Sequence, residues 1–305
     1  MTGVLLGFSV IAVVILAGVA LAGLRVVGPE AARVLSRIAY TVANPALLFG
    51  TMADSNPRVL LSTSALVALV SAVVAAGMFI AASRLWFRRP LPETVIGATG
   101  TAYANAANIG IPVATFIVGD TTAAAPLIML QLVVFAPAVV AALDLGTRGS
   151  VRVRDVVLLP VKNPLVIATV AGVVVALLGL HLPTAVRSPV DLVGGAAVPM
   201  MLMAFGISLW GRRPLAGADL PAVLTASAIK TLAMPAIAWL VAGPALGLRG
   251  HALFAAVAMA ALPTAQNVMT YANWYVRGET IARDVALVTT VVSIPALMAI
   301  SALLT

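Results

Sequence analysis

The sequence has no cysteine among its 305 residues, which excludes a disulfide framework, a thiolate metal site and a thiol nucleophile. Charge is nearly as scarce: Asp, Glu, Lys and Arg make up 9% of the chain, against about 25% in an ordinary soluble domain. There is no His-Glu-x-x-His spacing, and the two histidines, His181 and His251, lie far apart near loops. An intramembrane enzyme is therefore left without an acid, base or metal set. What remains is apolar: 62% of the residues, in recurrent runs of about twenty, each long enough at 1.5 Å per residue to cross roughly 30 Å of hydrocarbon. The chain reads as an all-α polytopic membrane protein.

Ten transmembrane helices are expected, near 4–23, 32–53, 60–82, 94–118, 123–143, 161–180, 190–210, 220–244, 252–276 and 283–304. The first run has no cation before it and meets its first at Arg25, the reverse of a cleavable signal, so it reads as a retained span. The net charge of +8 does not point to nucleic acid, because the basic residues sit in short loops between apolar runs. Fourteen of them fall in alternate loops on one face, and only Arg58, Arg187 and Arg249 fall on the other. The positive-inside rule makes the richer face cytoplasmic and puts both termini outside the inner membrane. Asp54, Asp120 and Asp191 then lie toward the outer face, where they are hydrated.

The second half of the chain repeats the first. Residues 10–24 and 166–180 agree at nine of fifteen positions, Pro45 lies over Pro199, and Val133-Val-Phe-Ala-Pro137 lies over Val291-Val-Ser-Ile-Pro295. Five spans per copy means that the copies enter the membrane from opposite sides, giving two inverted five-helix repeats, an architecture suited to secondary transport. The expected division is 1–145 for the first repeat, 146–155 for a cytoplasmic link and 156–305 for the second.

Polar residues concentrate in two spans at matching places. The fourth reads Gly97-Ala-Thr-Gly-Thr-Ala-Tyr-Ala-Asn105-Ala-Ala-Asn108-Ile-Gly110-Ile-Pro112, and the ninth Ala260-Ala-Leu-Pro263-Thr-Ala-Gln266-Asn267. Proline removes a donor and blocks the preceding turn, and backbone groups freed in hydrocarbon need partners. If both helices break near the midplane, half-helix N-termini point partial positive charge into a shared cavity and an anion fits there. The alternative is a pair of Pro-kinked helices whose amides only bind each other. Asn105, Asn108, Pro112, Pro263, Gln266 and Asn267 are the candidate substrate residues. Lys230 is the one charge well inside a span; it serves either as a buried organising cation, with amides such as Gln131 as partners, or as a snorkelling surface group. Asn44, Pro45, Gly110, Pro199 and Pro235 read as structural or hinge positions.

Ala43-Asn-Pro-Ala-Leu47, Ala104-Asn-Ala-Ala-Asn-Ile-Gly-Ile-Pro112, Lys162-Asn-Pro-Leu165, Lys230 with Pro235, and Pro263-Thr-Ala-Gln-Asn267 together resemble the auxin efflux carrier (PIN-like) family, in the form of its bacterial permeases. The resemblance implies broken crossing helices 4 and 9, a scaffold of spans 1, 2, 6 and 7, a moving unit of spans 3–5 and 8–10, a homodimer through the scaffold, and small carboxylates such as malate, malonate or an auxin-like acid as cargo. The long mid-chain loop of plant members is missing, and span 3 has no acidic residue for a carboxylate-based coupling site. No cofactor is expected; the coupling ion, sodium or proton, stays open. The competing expectations are a sodium-coupled carrier of a neutral or amphipathic solute, as in the bile-acid transporter superfamily, and a channel.

Overall fold

A computed structural model describes residues 2–28, 30–54, 62–149, 164–180, 182–210, 215 and 219–304. Arg58, His181, Arg212, Arg213 and most of the 146–155 link lie outside these residues, as does Lys162-Asn163. Among the described residues the fold is helical throughout, with one isolated antiparallel bridge and no strand. The helices are α1 (Thr2–Gly23), α2 (30–53), α3 (Thr63–Phe87), α4 (Leu91–Ala102), α5 (106–118), α6 (Ala125–Thr147), α7 (Pro164–Leu177), α8 (Thr184–Leu209), α9 (Leu220–Ala245), α10 (Gly250–Ala260), α11 (Asn267–Tyr275) and α12 (Glu279–Leu304). Five of them, α3, α6, α8, α9 and α12, are long and apolar enough by length and composition to cross a membrane. Helices α8 and α12 begin several residues before the apolar runs do, so Arg187 and Arg283 are helical rather than in loops. Backbone hydrogen bonding carries a helix past the end of its hydrophobic stretch, which hydropathy alone does not register.

Proline shapes the helices in one repeated way. Four of the wide π-helical turns among the described residues occupy Ala39–Ala43, Ala106–Gly110, Gln131–Phe135 and Ile229–Ala233. Each ends two residues before a proline: Pro45, Pro112, Pro137 and Pro235. A proline ring clashes with the carbonyl four residues back and offers it no N–H. That carbonyl belongs in every case to the middle residue of the wide turn, so the turn opens to release it. The hinge prolines Pro45 and Pro235 thus widen helices without ending them, and Pro199 sits in α8 just after a bend at Ala196.

Two packing groups follow. Helices α1, α2, α7 and α8 lie against one another, while α3, α4, α6, α9, α10 and α12 pack together, with α5 and α11 reaching between elements of both halves. In the first group α1 and α8 meet through glycines: a Cβ on Gly206 would run into the Ile15 carbonyl, and one on Gly18 into the Met203 carbonyl. Small residues allow such backbone approach, and dispersion between the helices replaces the hydrophobic effect that lipid removes. Gly206→Val should cost about 1–3 kcal/mol through overpacking, read as a lower denaturation midpoint of the purified protein.

At one end of this group Arg187 of α8 clamps Asp54, just past α2, with Nη1 and Nη2 at 2.6 and 2.5 Å, and Nε reaches Asp191 at 2.8 Å. The guanidinium holds the Asp54 carboxyl below its usual range, against a smaller opposing effect of burial. A lowered folded-state value means that the contribution is present above the unfolded value of about 3.9 and is lost as pH falls through the folded one. Because the Asp54 side chain is 59% exposed, the contribution is at most about 1 kcal/mol. Asp54→Asn should therefore be slightly less stable than the parent at pH 7 and indistinguishable from it once the pH drops below both values, as checked by denaturation at the two extremes.

Candidate functional site

Helix α4 ends in a stretch rich in Gly and Thr, weak helix formers. Thr99 and Thr101 turn their hydroxyls onto the Val95 and Ala98 carbonyls, 2.7 Å each. Tyr103 is extended (φ −86°, ψ 107°) and the helix resumes only at Ala106. In the other half α10 stops at Ala260, because the residue before a proline avoids helical angles and Pro263 follows. The two interruptions meet. Asn105 N–H donates to the Pro263 carbonyl at 2.8 Å and Ala265 N–H to the Tyr103 carbonyl at 2.9 Å, forming the antiparallel bridge of Ala104 with Thr264.

The carbonyls released at this crossing find specific donors. Thr264 Oγ1 donates to Gly100 O at 2.6 Å, Gln131 Nε2 of α6 donates to Ala104 O at 2.8 Å, and the amides of Ile109 and Gly110 share Asn105 O. The Thr264 amide in turn donates to Thr289 Oγ1 of α12 at 3.0 Å. Since the first helical bonds of α5 come from Ile109 and Gly110, the amides of Ala107 and Asn108 have no acceptor within that helix. Those of Gln266 and Asn267 stand equally at the start of α11.

Beside the bridge is a cavity of about 30 Å³, bounded by Asn44 and Leu48 of α2, residues 103–107 at the first interruption, Ile128, Gln131 and Leu132 of α6, Leu165 of α7, and Ala265 and Asn267 at the second. That volume holds roughly two waters and no carboxylic acid of several heavy atoms. None of the lining residues carries a charge. Asn105, Gln131 and Asn44 are 4%, 5% and 6% exposed, and Asn44 Oδ1 is buried with no hydrogen-bond partner. An unpaired buried acceptor is costly, and this oxygen asks for a donor. The Tyr103 ring packs on Tyr271 at 6.3 Å between centroids, and its hydroxyl donates to the Gln131 carbonyl at 3.2 Å.

The structure thus brings together Asn105, Gln131, Pro263 and Asn267. Gln266 caps α11 outside the cavity lining, and Gly110 packs against Leu262, where a Cβ would crowd the leucine. The side chains of Asn108 and Pro112 lie outside the described residues. Gln131 turns to the Ala104 carbonyl, not to Lys230, whose amine reaches Met234 Sδ at 3.1 Å on its own helix, away from this cavity. Asn44, read from the sequence as a hinge beside Pro45, faces the cavity. Tyr103 and Thr264 also belong to the crossing; both stood within the polar motifs, and the signal for Tyr103 was a large polar ring in the middle of an apolar run.

A model of the family described as membrane transport protein matches residues 7–153 and again 147–301. The chain belongs to this family, that of the auxin efflux carriers. No curated protein gave a significant match. The membrane transport proteins are transporters, and together with the apolar helices this makes the chain an integral membrane protein.

Proposed function

We propose that the protein is a secondary carrier for a small organic anion, a carboxylate such as malonate, malate or an auxin-like acid, working by alternating access. The observation that carries this is the union of two interrupted helices beside a buried, charge-free cavity lined by amides. An anion there would be held by side-chain N–H groups of Asn44, Asn105 and Asn267 and by the free amides opening α5 and α11, whose helix dipoles favour negative charge. Asn108 and Gln266 open the same helices, and Pro112 and Pro263 shape them.

In this reading the chain makes ten crossings of the inner membrane, with both termini outside. Spans 4 and 9 are broken crossing helices, built of α4 with α5 and α10 with α11. The group α1, α2, α7 and α8 is a static scaffold and homodimer interface, and the remaining helices move against it. Cargo would be bound between the two groups, since Asn44, Leu48 and Leu165 come from the first and the other lining residues from the helices that move against it. Relative displacement of the groups enlarges the cavity toward one face and then the other.

A thermal-shift screen of detergent-purified protein against mono- and dicarboxylates tests the proposal. A true ligand at 100 times its Kd adds about 2.7 kcal/mol of apparent stability; neutral amides and amines of similar size should add none. A response to the uncharged analogues alone would end the anion assignment.

A further inference from the structure

Asn44 is a polar residue in an apolar stretch, Val42-Ala-Asn-Pro-Ala-Leu-Leu48. Its main-chain N–H is engaged, donating to the Ala39 carbonyl where the wide turn of α2 closes. Its side-chain oxygen is not: Oδ1 is buried without a hydrogen-bond partner, in a residue only 6% exposed. An asparagine kept as glue between membrane helices would turn that oxygen to a donor on a neighbouring helix. The helices that close on α2 do so elsewhere. A Cβ on Gly172 of α7 would strike the Phe49 carbonyl at 2.6 Å, and one on Gly194 of α8 the Leu47 backbone at 2.9 Å. These are approaches of backbone to backbone, and they bring no donor to position 44.

Donors around the cavity that Asn44 lines are engaged by main-chain oxygens: Gln131 Nε2 by Ala104, the Tyr103 hydroxyl by Gln131, the Asn105 amide by Pro263 and the Ala265 amide by Tyr103. The cavity is thereby divided in its chemistry. At the interruptions, the N-termini of α5 and α11 offer donors and partial positive charge, which suit a carboxylate. On the α2 side stands an amide oxygen, which accepts and cannot donate. A second carboxylate set against it would be repelled, and the lining holds no cation to neutralise one. An O–H or N–H would satisfy it. A site with a buried polar group rejects an analogue that leaves the group unmatched far more strongly than one that differs by a methylene.

We propose that Asn44 is a specificity-determining residue whose Oδ1 accepts a hydrogen bond from the cargo. The carrier then takes a monocarboxylate that bears a hydroxyl or N–H donor, in preference to the same acid without it. This rests on the carrier reading and narrows its cargo.

Acids of matched shape that differ in the donor test it: lactate against propionate for the hydroxyl, and indole-3-acetate against benzofuran-3-acetate for the N–H. Affinities are read from thermal-shift titrations of detergent-purified protein at neutral pH, where all four are ionised. In at least one pair the donor-bearing acid should bind the parent about tenfold more tightly or better, and the pair that discriminates names the kind of donor. The ratio should fall to about one in Asn44→Leu, which keeps the bulk and lacks the acceptor, and in Asn44→Ala. Equal affinities within both pairs in the parent would overturn the proposal whether or not the variants fold. So would a ratio that persists in either variant, or binding of malonate with none of the donor-bearing acids; the anion reading would survive each of these. A parent protein that binds no carboxylate would defeat the anion reading itself, and this proposal with it.

Discussion

An Asn44→Asp protein is expected to fold and insert, yet to take up a carboxylate about 100-fold more slowly than the parent. The substitution changes neither size nor shape, and replaces an amide of the cavity lining with a group that carries the proposed cargo's own sign. Two unit charges about 4 Å apart at an effective dielectric constant of 20 repel by about 4 kcal/mol, and a 100-fold loss requires only about 2.7 kcal/mol. Asn44→Ala should lose far less, about 3- to 10-fold, the worth of one neutral hydrogen bond. Initial uptake rates in proteoliposomes, normalised to inserted protein, separate the two variants. Equal rates for Asn44→Asp and the parent would remove α2 from the site.

The second large effect concerns the crossing itself. Gln131→Leu deletes the side-chain donor to the Ala104 carbonyl, which the interruption of α4 has released from helical bonding. Polar contacts between membrane helices average only about 0.6 kcal/mol, because alternative partners are found in the denatured state. The Ala104 carbonyl, 1% exposed, keeps the Ala106 amide at 2.8 Å and loses the second of its two donors, at a cost of about 1 kcal/mol. A lowered melting temperature and at least about tenfold slower uptake are expected together. Slower uptake with unchanged melting would make Gln131 a cargo ligand and not a strut.

The sequence made several of these features readable for identifiable reasons. Apolar runs and scarce charge announce the membrane, and Pro45 and Pro235 mark places where a helix departs from regular geometry, because the displaced carbonyl lies four residues back. Pro263 marks the place where α10 stops. The stop after Ala102 was not readable from local chemistry in the same way: the nearest proline, Pro112, lies ten residues on and opens a turn inside α5. The chain is extended at Tyr103–Asn105 because residues 263–265, far along the sequence, pair with it. The same limit hid the direction of Asn44 and the separation of Lys230 from Gln131, since neither span order nor periodicity says which face of a kinked helix meets which neighbour.

Asn105 and Ala265 hold the two halves together through main-chain N–H groups, each received by a main-chain oxygen. Such a joint is indifferent to the identity of the side chains around it, provided none is proline at the donating positions. In the carrier proposed above, the residues that project beside the joint are therefore free to change with the transported solute, while the mechanical connection stays as it is.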